Sequence, residues 1–217
     1  MITLQSVNVG QPGVIGFRRG GPVLSGFRKR PVELTGVEVG STNIAGDGQA
    51  DLRAHGGQNK AVYAYCADHF AWWAKHVKLE RPVGPGTFGE NLTISGVDEG
   101  AVHIGDIWRW GTAVLQVSQP RYPCYKMAMA TGRPAIVKRF LESNRSGWYL
   151  RVLEEGEGIV GGEICLLEQD PAGLTVREAS QASWHPTEPE RLIEIAAHPA
   201  LAPSWANLLR HNAITPG

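Results

Sequence analysis

The chain has 217 residues, 42% of them hydrophobic and 19% charged, a balance that excludes a disordered or low-complexity protein and allows one large domain or a domain with a small annex. Lys+Arg and Asp+Glu number 21 each, so the formal net charge is +0. That lacks the basic excess expected of a nucleic-acid coat or a membrane-surface binder, though it leaves room for a local basic pocket.

The first ten residues, MITLQSVNVG, alternate in polarity instead of running basic and then apolar, so no signal peptide is expected. With 27 glycines and 14 prolines, the first three quarters of the chain divide into short segments. In chain order, ITLQSVNV, PVELTGVEV, AVYAY, NLTI, DIWRW, AVLQVSQ, YLRVLEE and EICLLE read as strands, by alternation or β-branched content. Short strands parted by glycine-rich turns predict a mainly β, barrel-like fold, not repeated βαβ units. Two helices interrupt: ADHFAWWAKHV, with Phe70, Trp73 and Val77 at helical spacing, and PAIVKRFLES, opening on Pro134. Trp72 and Trp73 read as core and interface aromatics.

After Glu168 the pattern turns helical in three brief pieces: TVREASQASW, with Thr175 as cap, then EPERLIEIAA and APSWANLLRH. The expected organisation is a β-barrel domain over residues 1–168 and a three-helix subdomain over 171–213. No apolar run approaches the ~20 residues of a membrane span.

Three cysteines, an odd number without a C-x-x-C pair, argue against a disulfide framework and for a reducing cytoplasm. Cys66 and Cys165 fit core packing. Cys124 lies in QPRYPCYK, where Pro120 and Pro123 restrict the backbone and Arg121 and Lys126 can favour a thiolate by charge. The alternative for Cys124 is a small buried apolar side chain.

GDGQADLRAHGGQNKAV, residues 46 to 62, carries Asp47, Asp51, Arg53, His55 and Lys60 in a glycine-rich loop leading into a strand, and Arg53, His55 and Lys60 could meet an anion such as a phosphate. A solvated turn is the plainer reading. An EF-hand is excluded because Gln58 stands where the bidentate Glu is needed. GPGTFGENL matches the dinucleotide pattern through Gly84, Gly86 and Gly89. The continuation ENLTIS reads as strand, however, so a Rossmann turn is rejected and Glu90 and Asn91 remain as pocket residues. Cys66, His69 and His76 lack the fourth ligand of a structural zinc site.

Three stretches together, GDGQADLRAHGGQNKAVYAY, TFGENLTISG…IGDIWRWGTAVLQVSQP and RYPCYK, resemble the MOSC domain family, in particular its stand-alone bacterial YiiM type. The resemblance covers the whole chain, since YiiM-like proteins also end in a small three-helix annex. It implies a closed β-barrel-like fold that binds a molybdopterin-type molybdenum cofactor, with Cys124 as catalytic residue and metal ligand. Arg53, His55, Lys60, Asn91, Arg121 and Lys126 would then hold the pterin and its phosphate. It implies an oxidoreductase as well: relatives such as the mitochondrial amidoxime-reducing component reduce N-hydroxylated compounds, and YiiM-like proteins are associated with detoxifying N-hydroxylated purine bases.

A soft thiolate suits a soft, high-valent metal, and lysine or arginine suits a phosphate. No flavin, nicotinamide or pyridoxal phosphate site and no four-cysteine cluster is expected, so electrons would come from a partner protein or a small reductant. The C-terminal helices offer a face for that donor or for a second copy, as a homodimer. Two rival roles stand beside this one. Cys124 could carry persulfide sulfur or serve cofactor delivery, or it could be the nucleophile of a hydrolase with His55 or His103 as base.

Overall fold

The computed structural model describes residues 2–51, 56–185 and 187–215. Its strands are β1 (Ile2–Val9), β2 (Gly13–Arg18), β3 (Gly21–Ser25), β4 (Arg30–Pro31), β5 (Gly36–Gly40), β6 (Asn43–Ile44), β7 (Val62–Cys66), β8 (Leu92–Ser95), β9 (Ile107–Trp110), β10 (Ala113–Pro120), β11 (Trp148–Glu154), β12 (Gly156–Ile159) and β13 (Glu163–Glu168). The helices are α1 (Phe70–His76), α2 (Tyr125–Thr131), α3 (Ile136–Glu142), α4 (Val176–Gln181), α5 (Pro189–Ala196) and α6 (Pro203–Ile214).

Seven strands close into a barrel in the order β13-β9-β10-β11-β7-β8-β1, with β1 pairing back to β13 through Ile2 and Thr3. Only β7 and β8 run parallel within it. The mainly β, closed-barrel expectation is met. On β1, Ile2 and Leu4 point inward while Thr3 and Gln5 face out, until a bulge between Leu4 and Ser6 shifts the phase. The far end of β1 carries β4, β5 joins β6 and β12 in a small separate sheet, and β2–β3 forms a free-standing hairpin.

The barrel interior is filled by large side chains, among them Trp108, Trp110, Trp148, Ile94 and Leu115, all fully buried. A second cluster of Phe27, Tyr65, Trp73, Phe88 and Phe140 packs between the barrel wall and α1 and α3. It backs the candidate site at the end of β10.

The C-terminal helices form where their caps predict. Thr175 Oγ1 accepts from the Glu178 N–H at 3.1 Å while the Glu178 carboxylate accepts from the Thr175 N–H at 3.0 Å, closing a capping box. Pro189 and Pro203 occupy first-turn positions, where a missing N–H costs nothing. Val176, Leu192, Ile195, Trp205 and Leu209 of these helices join the same apolar core as the barrel strands.

Some expectations change. PVELTGVEV is not one strand: β4 ends at Pro31 and β5 begins at Gly36, with Leu34 exposed between them. ADHFAWWAKHV opens with a single 3-10 turn, Ala67–His69, before α1. Cys165 is exposed, not packed in the core, because of the β13 side chains only Ile164 is buried. The β2–β3 hairpin, β12 and α2 are additions that the local sequence pattern does not announce. As expected of the segment after GPGTFGEN, β8 comes next and no helix opens there.

Candidate functional site at the end of β10

β10 ends on Pro120, held opposite Trp148 of β11, and the Arg121 N–H still donates to Gly147 O at 3.3 Å. Pro123 then turns the chain, so that Cys124, in extended backbone, becomes the residue that caps α2. The Met127 N–H donates to Cys124 O at 2.9 Å, opening the helix. The half-buried thiol is thus fixed at the junction of a barrel strand and a helix, on the wall of a cleft.

Four cations line that cleft: Lys29, Lys60, Arg121 and Lys126. Arg121 is buried, its Nη1 donates to Phe88 O, and its guanidinium lies 4.4 Å from the centre of the Tyr63 ring. Lys126, on the first turn of α2, is buried to 7% exposure. Burial lowers the pKa of Lys60. It also lowers that of Lys29, against the opposing pull of Asp47, with which Lys29 forms an ion pair whose side chains are 7% and 1% exposed.

Asp47 is the one carboxylate of the cleft wall among the described residues. Asn91 locks it in place. The Asn91 Nδ2 donates to Asp47 Oδ2 at 3.0 Å and to Asn8 O at 3.2 Å, and its Oδ1 accepts from the Tyr63 N–H at 3.1 Å. The Gly10 N–H donates to Asp47 Oδ1 at 2.9 Å. Behind this wall, fully buried Glu90 accepts from the N–H groups of Gly86 and Phe88 and from the Thr93 hydroxyl. Burial nevertheless pushes its carboxyl up to about 7. Tyr63 and Tyr149 also face the cleft, and burial raises both phenols, so they stay neutral.

Glycine is required where two loops cross at the rim. A Cβ on Gly26 would lie 1.9 Å from Gly48 O, so the base of the β2–β3 hairpin can touch the loop carrying Asp47 only without a side chain.

Of the residues singled out in the sequence, Cys124, Lys60, Asn91, Arg121 and Lys126 converge on this one cleft. Arg53 and His55 lie outside the described residues. His103, a candidate hydrolytic base, sits elsewhere: its Nδ1 is 3.5 Å from Asp106 Oδ2, and no histidine lines the cleft among the described residues. Sequence reasoning passed over Lys29, Tyr63 and Tyr149 as site residues, and named Asp47 in the glycine-rich loop without giving it a role in the site. The basic run FRKRP was the one signal that could have drawn attention to Lys29.

No group of three or more His, Cys, Asp and Glu able to hold a metal ion occurs among the described residues. The donor set of the cleft fits a molybdopterin-type molybdenum cofactor, with a soft sulfur on one wall and cations for a phosphate around it. No helix among the described residues is long and apolar enough to cross a membrane.

The MOSC domain model matches residues 51–165, a span that includes Cys124, Lys60, Asn91, Arg121 and Lys126 but not Lys29 and Asp47 of the N-terminal segment. An uncharacterized protein, YflK of Bacillus subtilis (strain 168), is 40% identical over 92% of this chain and 89% of its own length. The crystal structure of YiiM from Geobacillus stearothermophilus superposes with a TM-score of 0.82 at 34% identity, covering 98% of this chain and 100% of that one. A Gibberella moniliformis (strain M3125 / FGSC 7600) protein named "Reductase" is 36% identical over 69% of this chain, which spans 27% of that longer protein. With the family model covering more than half of the chain and a relative 40% identical along most of it, this chain belongs to the MOSC domain family.

Proposed function

We propose that the chain is a molybdenum-cofactor-binding oxidoreductase that reduces N-hydroxylated small molecules, such as N-hydroxylated purine bases, with Cys124 as the protein ligand to molybdenum. The observation that carries this reading is the pairing of one thiol, on a rigid strand–helix junction, with four cations around a single cleft. MOSC domains are associated with the molybdenum cofactor, and the reductase-named relative supports redox chemistry in the lineage.

When bound, the cofactor would supply the two-electron step in which R–NHOH, two electrons and two protons give R–NH2 and water. The chain's own residues do the rest. Cys124 offers a soft sulfur, while Lys60 and Lys126 offer point charges to the cofactor's phosphate. Arg121, pinned by Phe88 O and the Tyr63 ring, presents a fixed guanidinium to the pterin side. Arg53 and His55 would complete the basic set. Neutral Tyr63 and Tyr149 wall the cleft without adding charge. Electrons would arrive from an external protein or small reductant.

The test is molybdenum content by elemental mass spectrometry after wild type and Cys124→Ala are loaded with cofactor in parallel. Near-stoichiometric metal in wild type and little in the variant is the expected result. Equal metal in both, with transferable sulfur on Cys124, would replace this reading with a sulfur carrier.

A further inference from the structure

The β2–β3 hairpin has two unlike faces. Its inner face packs down through buried Ile15 and Val23, and the backbone at Gly16 approaches the Met129 side chain of α2. Its outer face presents the cross-strand pair Val14 and Leu24, 48% and 49% exposed, together with Phe17 at 74%. A two-stranded ribbon leaves its outer face without a covering layer, and here that face is apolar.

The charge around it is one-sided. No Asp or Glu precedes Glu33, whereas Arg18, Arg19, Arg28, Lys29 and Arg30 all do. Lys29 is occupied by Asp47. The four arginines are exposed, and none has a carboxylate within ion-pair distance among the described residues. In a chain of zero formal net charge, this is a stretch of cationic residues, with Glu80 the one carboxylate among the described residues on the cavity wall that Arg28 shares.

The hairpin is also the lip of the cleft. Ser25, Gly26 and Phe27 at its base line the cleft wall. At its other end Arg18 lies 4.4 Å from the centre of the Tyr125 ring, one residue beyond Cys124. The tip, Arg19 and Gly20, turns with both residues at positive φ, a tight two-residue reversal of the backbone.

We propose that this hairpin is the docking surface for an acidic electron-transfer protein that delivers the two electrons of the reduction. The inference rests on the reductase reading above. In that step two reduced donor molecules dock in turn and each is oxidised by one electron, the N–O bond breaks, and the oxygen leaves as water with two protons from solvent. An acidic partner is favoured because unpaired arginines steer negative surfaces, while the apolar patch between them adds short-range burial. Docking at the lip places the donor's redox centre beside the cleft.

The probes are an acidic ferredoxin, a basic cytochrome c and a single-stranded oligonucleotide, each titrated against the full chain. The variants are Arg19→Glu/Arg28→Glu and the conservative Arg19→Lys/Arg28→Lys, both on exposed positions outside the cleft. Wild type is expected to bind ferredoxin with affinity that falls at least about ten-fold between about 20 mM and about 300 mM salt. Charge reversal is expected to weaken ferredoxin about ten-fold or more at low salt and to create affinity for cytochrome c, whereas the lysine variant behaves as wild type. No ferredoxin binding by wild type, or binding untouched by reversal, overturns the proposal. Tighter binding of the oligonucleotide than of ferredoxin at equal salt overturns it in favour of a nucleic-acid surface.

Turnover separates this inference from the one beneath it. With reduced methyl viologen as donor, the Glu variant should match wild type, and with reduced ferredoxin its kcat/KM should fall about ten-fold. Absence of turnover with methyl viologen in wild type would defeat the reductase reading, while the binding series still decides the surface.

Discussion

The Asn91 side-chain amide donates to Asp47 Oδ2 at 3.0 Å, tying the strand after GPGTFGE to the loop that carries the cleft's carboxylate. The same side chain holds Asn8 O and the Tyr63 N–H, so one residue joins four segments at 3% exposure. Asn91→Ala strands a buried N–H, a carbonyl and part of a carboxylate. Each unsatisfied group costs about 1–3 kcal/mol, some of it recovered by relaxation, so a loss of about 3 kcal/mol is expected. Urea unfolding measures it; a shift below about 1 kcal/mol would mean that other groups hold Asp47.

Glu90 gives the fold a pH dependence of definite sign. Its carboxyl is raised from 4.5 to about 7 by burial, despite three hydrogen-bond donors. The folded state therefore holds this proton more tightly than the unfolded chain does. The contribution is complete below about pH 4.5 and is lost as pH rises through about 7, a swing of roughly 3 kcal/mol. Glu90→Gln, which cannot ionise, should flatten the stability profile across that window. Unfolding curves at several pH values that run parallel for wild type and variant would show that the carboxylate is already ionised in the fold.

The barrel was legible in the sequence because its strands are bounded by glycine and carry β-branched or alternating residues; ITLQSVNV maps onto β1 residue for residue. The hairpin was not, because GVIGFRRGGPVLS contains too much glycine to look like paired strands. α2 was hidden by the prolines before it and by its small size, and buried Met127 and Thr131 anchor it through tertiary packing that no local pattern announces. Within the site, Cys124 stood out by its proline setting. Tyr63 did not, since every residue of β7 is buried and alternation gives no clue to which face meets the cleft. Lys29 and Asp47 are distant in sequence from Cys124, and only the fold joins them.

The three thiols should separate by reactivity. Cys66 is buried and its thiol is pushed up to about 12 by burial, Cys165 is exposed, and Cys124 is half-buried on the cleft wall. Near pH 8, a maleimide should label Cys165 first and Cys124 more slowly, reaching Cys66 only after unfolding in urea. Peptide mapping by mass spectrometry reads the order. Early labelling of Cys66 in the folded protein would contradict the packing of β7 against β8.

Arg121 combines two contacts that lysine cannot reproduce together. Its guanidinium donates to Phe88 O and lies close enough over Tyr63 to interact with the ring at 4.4 Å, all at 8% exposure. Lysine carries the charge but lacks the planar fork, so Arg121→Lys should cost about 2 kcal/mol of stability. Arg121→Met keeps the aliphatic packing and removes the charge, which separates the two roles. If the guanidinium serves only the fold, both variants should be destabilised yet load molybdenum as wild type does. If it also faces the cofactor, metal per folded chain should drop in both, further in Met than in Lys, because the methionine variant loses the charge as well as the fork.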